Sequence, residues 1–335
     1  MVDATHKSFI ADDRSYFSLI KKDIHKFAAD NGFPTTKLNS IDIVVAELTS
    51  NIQKYSTGGA EILVGYHGLD GNGYIDIVTI DNGPGIADVK KVMVDGYSTS
   101  STLGQGLGTI RRMADDFDLY SQPRWGTIVL ARVYKLSKPK LVVNQLRSLV
   151  VAKPGETLSG DGVLSVRTST GFKCLMADGL GHGPFANAAV NEAAVAFEQC
   201  KHQSPSDTLR FLHEAIKKTR GIVANIIFYN GIEKQWTICG IGNIATKFIG
   251  GMASKNYLPH NGIIGHNIPN RIHDLVLSKD EYNQFISCSD GMKSRWDIQK
   301  FPMINKHDSL LLCVAIYKEY ARKTDDMSVT TCKIL

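Results

Sequence analysis

Glu47, Asn51 and Lys54 recur at i, i+4 and i+7 within the run Ile41–Tyr55. That spacing puts all three side chains on one face of a helix. A carboxylate, an amide and a cation in a row suit a magnesium–triphosphate ligand. The amide oxygen can ligate Mg2+, the cation can offset phosphate charge, and the carboxylate can accept a proton from a nucleophile. Taken by itself, the row serves equally well as a solvated polar face. Two further segments add to it. Asp81-Asn82-Gly83-Pro84-Gly85-Ile86 follows a strand-like run; an Asp at a strand end can accept from an exocyclic amine such as that of adenine, and the glycines let backbone approach a ligand closely. Gly104-Gln105-Gly106-Leu107-Gly108 then opens a helix, where backbone N–H groups and the helix dipole attract phosphate. No Gly-Lys-Ser/Thr follows, so this is not a Walker loop, and it is not a clear Rossmann fingerprint.

A second set of residues lies in the other half of the chain. Asp161 stands in Ser-Gly-Asp-Gly, Asp178 in Met-Ala-Asp-Gly-Leu-Gly-His-Gly, Asp290 in Ser-Cys-Ser-Asp-Gly and Asp325 in Thr-Asp-Asp-Met-Ser-Val. The last three adjoin apolar strand-like runs, Phe172–Ala177, Phe285–Ser289 and Met327–Cys332. Carboxylates beside such runs are costly to bury unless cations pair with them. Hard divalent ions are the natural partners. Two ions about 3.5–4 Å apart can activate a water and stabilise the leaving oxygen of a phosphate ester. Cys288 sits near these acids but reads as a core residue, and no Cys-x5-Arg phosphatase loop is present.

The elements that must position these residues follow from periodicity. Phe17, Ile20, Ile24, Phe27 and Ala28 predict a helix over 13–30, ended by Asn31-Gly32. A second helix is predicted over 38–55, with Val44, Leu48 and Ile52 facing a sheet. Strands at 61–66 and 74–81, a helix at 107–116 and strands at 117–122 and 126–135 complete the first half. The second half reads as strands near 148–153, 161–168 and 171–177, helices near 184–200 and 206–218, then strands at 222–229, 235–240, 245–249, 273–277, 284–288, 310–316 and 327–333. Single cores rarely grow beyond roughly 250–300 residues, so 335 residues suggest two domains. The Ser/Lys/Pro stretch around Leu136–Lys140 breaks the pattern. The expected division is 1–136, a linker at 137–145, and 146–335.

From about residue 10 to 135, the order and spacing of the first three motifs resemble the GHKL ATPase family, which includes gyrase-like ATPases, histidine kinases and anti-sigma-factor serine kinases. The likeness is strongest to the small RsbT/RsbW kinases, and to RsbT over Asp95-Gly-Tyr-Ser-Thr…Gly-Leu-Gly and Gly126-Thr127. The resemblance implies Glu47 as general base, Asn51 as Mg2+ ligand and Asp81 as adenine acceptor, with Thr127 supporting it. Gly83 and Gly85 would form the adenine-side loop, and Gly104, Gly106, Leu107 and Gly108 the phosphate loop. Lys54 would touch phosphate. His25 lacks the helical hairpin of a phosphoacceptor histidine, which disfavours a histidine kinase.

Residues 146–335 resemble the metal-dependent protein phosphatases of the SpoIIE/RsbX branch. In that family the Asp of the Asp178-Gly179 pair bridges two metals and the glycine supplies a carbonyl; Asp161 and Asp290 look like further ligands. Asp325, two residues before Met327, aligns as the last ligand, with Asp326 as the alternative. Eukaryotic members carry His directly after the Asp-Gly. Leu180 stands there in this chain and His182 comes two residues later, which leaves a His general acid in doubt.

Together the resemblances imply an α+β chain of two α/β sandwich domains: a GHKL (Bergerat-type) ATP-binding fold followed by an αββα phosphatase sandwich. They imply ATP with Mg2+ at the first site and two Mn2+ or Mg2+ at the second. The expected function is a bifunctional serine/threonine kinase and phosphatase acting on a STAS-domain partner of anti-sigma-antagonist or stressosome type. The alternative is an ATP-binding module that sequesters a partner and regulates an attached phosphatase. A homodimer is left open. The net charge of +5 is mild and no long basic run occurs, which argues against nucleic acid and an anionic membrane. No apolar run approaches the roughly 18 residues that span a bilayer. Six scattered cysteines without a Cys-x-x-Cys pair favour free buried thiols in a reducing cytoplasm.

Overall fold

The computed structural model describes residues 5–68, 72–92, 106–138, 145–251 and 253–334. They fall into two compact units, one of His6–Val142 with Met303–Leu311, the other of Val143–Pro302 with Leu312–Leu335.

The first unit contains β1 (Lys7–Ile10), α1 (Phe17–Asp30), α2 (Thr35–Tyr55), β2 (Ala60–His67), β3 (Tyr74–Asp81), α3 (Val89–Val92), α4 (Gly106–Met113), β4 (Asp116–Gln122) and β5 (Gly126–Tyr134). Its strands form one antiparallel sheet in the order β1-β2-β3-β5-β4. Helix α2 buries Ile41, Val44, Val45, Leu48 and Ile52, the stripe that a 3.6-residue period requires. That stripe shares a core with Ile62, Val64, Ile75, Ile77, Val129, Ala131 and Val133 of the sheet. Burying one face fixes the other, so packing decides where Glu47 and Asn51 stand.

Asp76 and Arg132 are register partners on β3 and β5 and both are buried. Arg132 holds Asp76 bidentately, Nε to Oδ1 at 2.6 Å and Nη2 to Oδ2 at 3.1 Å, and donates from Nη1 to Asp308 at 2.9 Å. Asp308 belongs to the Met303–Leu311 segment, which lies inside the range that the sequence assigned to the second domain. In the same segment the Asp308 N–H donates to Asp118 Oδ2 at 2.7 Å, and His307 Nδ1 lies 2.8 Å from Asp118 Oδ1. A buried pair of this kind is costly to break from one side.

The second unit contains β6 (Gln145–Val151), β7 (Asp161–Arg167), β8 (Gly171–Gly179), α5 (Pro184–Gln199), α6 (Pro205–Ala215), β9 (Ile222–Asn230), β10 (Gln235–Ile241), β11 (Ala245–Ile249), β12 (Ser254–Tyr257), β13 (Leu275–Ser278), β14 (Gln284–Cys288) and β15 (Met327–Lys333); α7 (Ser309–Tyr320) begins in the Met303–Leu311 segment and runs into it. Two antiparallel sheets, β13-β10-β9-β8-β7 and β12-β11-β14-β15-β6, make up the unit. They share a core in which Phe172, Met176 and Trp236 of one meet Val150, Phe248, Phe285 and Cys332 of the other. Helices α5 and α6 cover the outer face of the first sheet through Val190, Phe197, Leu209 and Leu212. All six cysteines are free and buried.

The expected strand at 310–316 is instead part of helix α7. Its residues Leu310–Ile316 are buried on every side, so the run carries no 3.6 period, and an unbroken apolar run does not distinguish a buried helix from a buried strand. Strands β1 and β12 were not anticipated. Both are four-residue edge strands with mostly exposed side chains, and so lack the alternation by which strands are recognised.

The placement of α2 yields a direct test. Leu48→Ala should destabilise the first unit by about 2–5 kcal/mol, the range for a fully buried leucine, measured by urea denaturation followed by circular dichroism. A loss below about 1 kcal/mol would mean that this face does not anchor the helix.

Candidate active sites

In the first unit, Glu47 and Asn51 are half-buried on α2 and Lys54 is exposed near its end. Gly106 opens α4 directly beside them. A Cβ on Gly106 would lie 3.1 Å from Glu47 Oε2 and 3.3 Å from Asn51 Oδ1, so any larger residue would crowd both. The α2 carboxylate, the α2 amide and the start of α4 are thereby brought together. Leu107 and Gly108 follow on α4. Gly104, like the Asp95–Thr99 motif, lies outside the described residues.

Asp81 ends β3, and its environment is built from backbone. Its Oδ1 accepts from the N–H of Gly83 at 2.7 Å and from the N–H of Thr127 at 3.3 Å. Thr127 therefore contributes through its peptide group. Its hydroxyl is 2.9 Å from Ser121 Oγ, which also donates to Gly126 O and accepts from the N–H of Ile86. The glycines are sterically required. A Cβ on Gly85 (φ +73) would come within 1.9 Å of Gln122 O, and one on Gly126 (φ +110) within 2.1 Å of Asp81 O. A Cβ on Gly83 would come within 2.5 Å of Tyr55 O. Ser121 was missed by sequence reasoning, since a lone serine in a strand gives no signal. This donor set, an oriented carboxylate on one side and a carboxylate–amide pair beside a glycine on the other, fits a magnesium–nucleotide.

In the second unit the four predicted aspartates gather where both sheets end. Asp161 opens β7 and is the register partner of Asp178 near the end of β8. Asp290 follows β14, and Asp325 and Asp326 precede β15, its neighbour in the other sheet. Asp161 is only 3% exposed and accepts from Ser328 Oγ of β15 at 2.7 Å, a bond that ties the sheets together. Burial pushes the Asp161 carboxyl up to about 7; the hydroxyls of Ser289 and Ser328 oppose that rise, while Asp326 and Asp290 add to it. Burial also drives Asp178 well above the carboxylate range, and Asp161, Asp290, Asp325 and Asp326 push in the same direction. The acids are thus near neighbours, although among the described residues no three His, Cys, Asp or Glu side chains are placed to enclose an ion.

The two candidates for the last ligand differ in engagement. Asp326 is buried, and its two oxygens accept from the N–H groups of Lys153 and Gly160, each at 2.8 Å. Asp325 is half-buried, and its Oδ1 accepts from the Asp326 N–H at 2.9 Å. Asp290 Oδ2 accepts from Asn243 at 2.9 Å. Gly179 donates its N–H to Gly160 O, and a Cβ there would meet Ala186 O at 2.5 Å. His182 is half-exposed and paired with Glu156, Nδ1 to Oε1 at 2.8 Å. Ser328, Asn243 and Glu156 were not found in the sequence, because each acts through a contact distant along the chain. Asp161 and Asp326 are buried, Asp178 and Asp325 half-buried and Asp290 exposed; mutually repelling carboxylates that run from the interior to solvent in this way are chemically suited to divalent metal.

No family model matches the sequence. The chain is 38% identical over 104 residues to the serine/threonine-protein kinase RsbT of Bacillus subtilis (strain 168), a match covering 31% of this chain and 77% of that protein. It is 25% identical over 141 residues to the phosphoserine phosphatase RsbX of the same strain, covering 42% of this chain and 70% of that protein. A crystal structure of RsbX in complex with magnesium matches with a TM-score of 0.50 at 23% identity, over 59% of this chain and 98% of that one. A chain from a structure described as a bacterial stressosome, a modular system adapted to control secondary messenger signalling, matches with a TM-score of 0.52 at 24% identity, over 57% and 99%. Fold and relatives define a chain that joins a kinase-type ATP-binding module to a metal-dependent-phosphatase-type module. Through the first module the chain belongs to the RsbT family of serine/threonine kinases; its second module is RsbX-like.

The carboxylate cluster has a consequence for stability. A carboxyl whose folded pKa is raised favours the protonated fold. The contribution of Asp161 is therefore full below about pH 4 and is lost as pH rises through about 7. Divalent ions should reverse the loss. The melting temperature with Mg2+ or Mn2+ should exceed that in EDTA at about pH 8, and by a smaller margin at about pH 5. A melting temperature indifferent to ions at both pH values would rule out cation pairing.

Proposed function

We propose that this chain is a bifunctional protein serine/threonine kinase and phosphatase that sets the phosphorylation state of a STAS-domain partner, of anti-sigma-antagonist or stressosome type, in a bacterial partner-switching pathway. Kinase activity is assigned to 1–136 and phosphatase activity to 146–335. The observation that carries this reading is that one chain holds both Gly106 seated over Glu47 and Asn51 and a cluster of mutually repelling aspartates around the buried Asp161 at the ends of two sheets.

In the kinase module Glu47 would accept the proton of the partner's Ser or Thr hydroxyl as its oxygen takes the γ-phosphoryl group of ATP, the bond from the γ-phosphorus to the bridging oxygen breaks and ADP leaves. Asn51 ligates Mg2+, and Asp81, oriented by two backbone N–H groups, accepts from the adenine amine. Gly83 and Gly85 admit the base, Gly104, Gly106, Leu107 and Gly108 the phosphates, and Lys54 offsets their charge. In the phosphatase module Asp178 and the Gly179 carbonyl, with Asp161, Asp290 and Asp325, hold two Mn2+ or Mg2+. Asp325 is preferred to Asp326, whose oxygens already serve two backbone donors. The ions supply an activated water and stabilise the leaving oxygen. The six buried free thiols support a cytoplasmic setting.

Labelled ATP and a STAS-domain protein separate this reading from ATP binding alone. Phosphopartner should accumulate with Asp290→Ala and fail to accumulate with Glu47→Ala/Asp290→Ala. ATP binding without any label in the single variant would leave only a sequestering module. For the phosphatase, Asp178→Ala should lower phosphate release from phosphoserine protein by at least about 100-fold, the scale on which loss of a metal's support is felt. Release equal to wild type would eliminate the two-metal assignment.

A further inference from the structure

Arg220 and Phe185 stand at the rim of the carboxylate site, outside the machinery assigned above. Strand β9 starts at Ile222, the register partner of Gly179, so Arg220 lies two residues before the strand bordering Asp178. The Leu180 N–H donates to Gly221 O at 3.1 Å, and His266 Nε2 lies 2.8 Å from Arg220 O. Gly221 has φ +81, and a Cβ there would meet His266 and Ile264. The backbone carrying Arg220 is thus fixed against the turn that follows Asp178. The guanidinium carbon sits 4.8 Å from the centre of the Phe185 ring, and Nη1 is 3.2 Å from where a Cβ on Gly181 would stand. Among the described residues the guanidinium forms no ion pair. Phe185 is 68% exposed, an unusual cost for so large a ring, and Leu158 is 43% exposed. Leu158 lies on the segment bound to α5 through Asn187 Nδ2 and Ser159 O at 2.8 Å.

We propose that Arg220, oriented by stacking on Phe185, receives the phosphate of a phosphoserine or phosphothreonine side chain, while Phe185 seats an apolar residue of the same protein substrate. The assignment rests on reading the second unit as a phosphatase. A planar guanidinium binds phosphate bidentately, and an aromatic face holds it ready at low entropic cost. A phosphate dianion also approaches Asp161, Asp178, Asp290, Asp325 and Asp326, so a fixed cation at the rim favours entry and orientation. Gly181 leaves room for the guanidinium beside the catalytic turn.

The test uses the full chain in Mn2+ with two esters, p-nitrophenyl phosphate and a phosphoserine peptide bearing an adjacent leucine. Arg220→Ala should raise KM for both by about tenfold with kcat within about twofold, the scale of one charge-assisted hydrogen bond. Arg220→Lys should recover part of the loss. Phe185→Ala should raise KM for the peptide alone. Unchanged KM values in Arg220→Ala overturn the phosphate assignment, and an equal effect of Phe185→Ala on both esters overturns the apolar seat. Binding of the fluorescent phosphopeptide, followed by anisotropy, separates the two readings. Wild type that binds through Arg220 yet hydrolyses neither ester removes the phosphatase reading, and with it the role of Arg220 in hydrolysis. Wild type that hydrolyses both while Arg220→Ala binds equally well removes this one alone.

Discussion

A carboxylate 3% exposed, at the point where two sheets end, constrains the whole second unit. Asp161 opens one sheet and accepts from Ser328 of the other. Asp326 is held by N–H groups from the end of the Gln145–Val151 strand region and from the residue before Asp161. The sandwich cannot shift these strands without breaking bonds to charged or chargeable groups, each worth more than a neutral hydrogen bond. The same bonds do not satisfy all of the acids. Burial and mutual repulsion raise Asp161, Asp178 and Asp326 together. The fold has thus concentrated negative charge that its own donors only partly offset. Such a unit is best stabilised by what it binds.

The first unit solves the opposite problem. Asp81 is a single carboxylate with its orientation set by two backbone N–H groups. Here the constraint is room. Gly83, Gly85 and Gly126 bring backbone so close that a methyl group would collide with peptide oxygens. The positive φ of Gly85 and Gly126 adds a second reason that other residues are excluded. Gly106 plays the same part beside Glu47 and Asn51. Close approach of backbone to backbone is achieved by removing side chains, whereas the second unit crowds its carboxylates.

Much of this was legible in the sequence, for different reasons at different residues. The α2 stripe Val44, Leu48 and Ile52 has a plain helical period, and once buried it dictates where Glu47 and Asn51 stand. The aspartates stood out because acids beside apolar strands are energetically odd. What was illegible depends on distant parts of the chain. Ser328 reaches Asp161 across 167 positions, and Arg132 reaches Asp308 across 176. Neither has a local signature. The Leu310–Ile316 run was misread because complete burial erases periodicity, the signal that distinguishes helix from strand. Ser121 and Glu156 act by orienting a neighbouring group, a role any polar residue could fill, so residue type alone could not reveal them.

A kinase and a phosphatase on one chain, as proposed above, would make the ratio of two rates the controlled quantity. A partner modified by one module remains at high effective concentration near the other, because covalent attachment replaces a second diffusional encounter. Under the function proposed above, adding or removing phosphate is then less informative than the bias between the two. The sites differ in what can bias them. Glu47 and Asn51 require that the glycine-bearing end of α4 stay seated on α2, and Asn51 would need the Mg2+ that accompanies the nucleotide. The aspartate set requires cations to offset several like charges in little-hydrated surroundings, where electrostatic terms are largest. A change in divalent-ion supply would therefore bear on both steps, through one amide ligand in the first unit and several carboxylates in the second. A change in the seating of α4 weighs on addition alone. Under that function the seating of α4 would be a handle on phosphate addition that the aspartate set does not share.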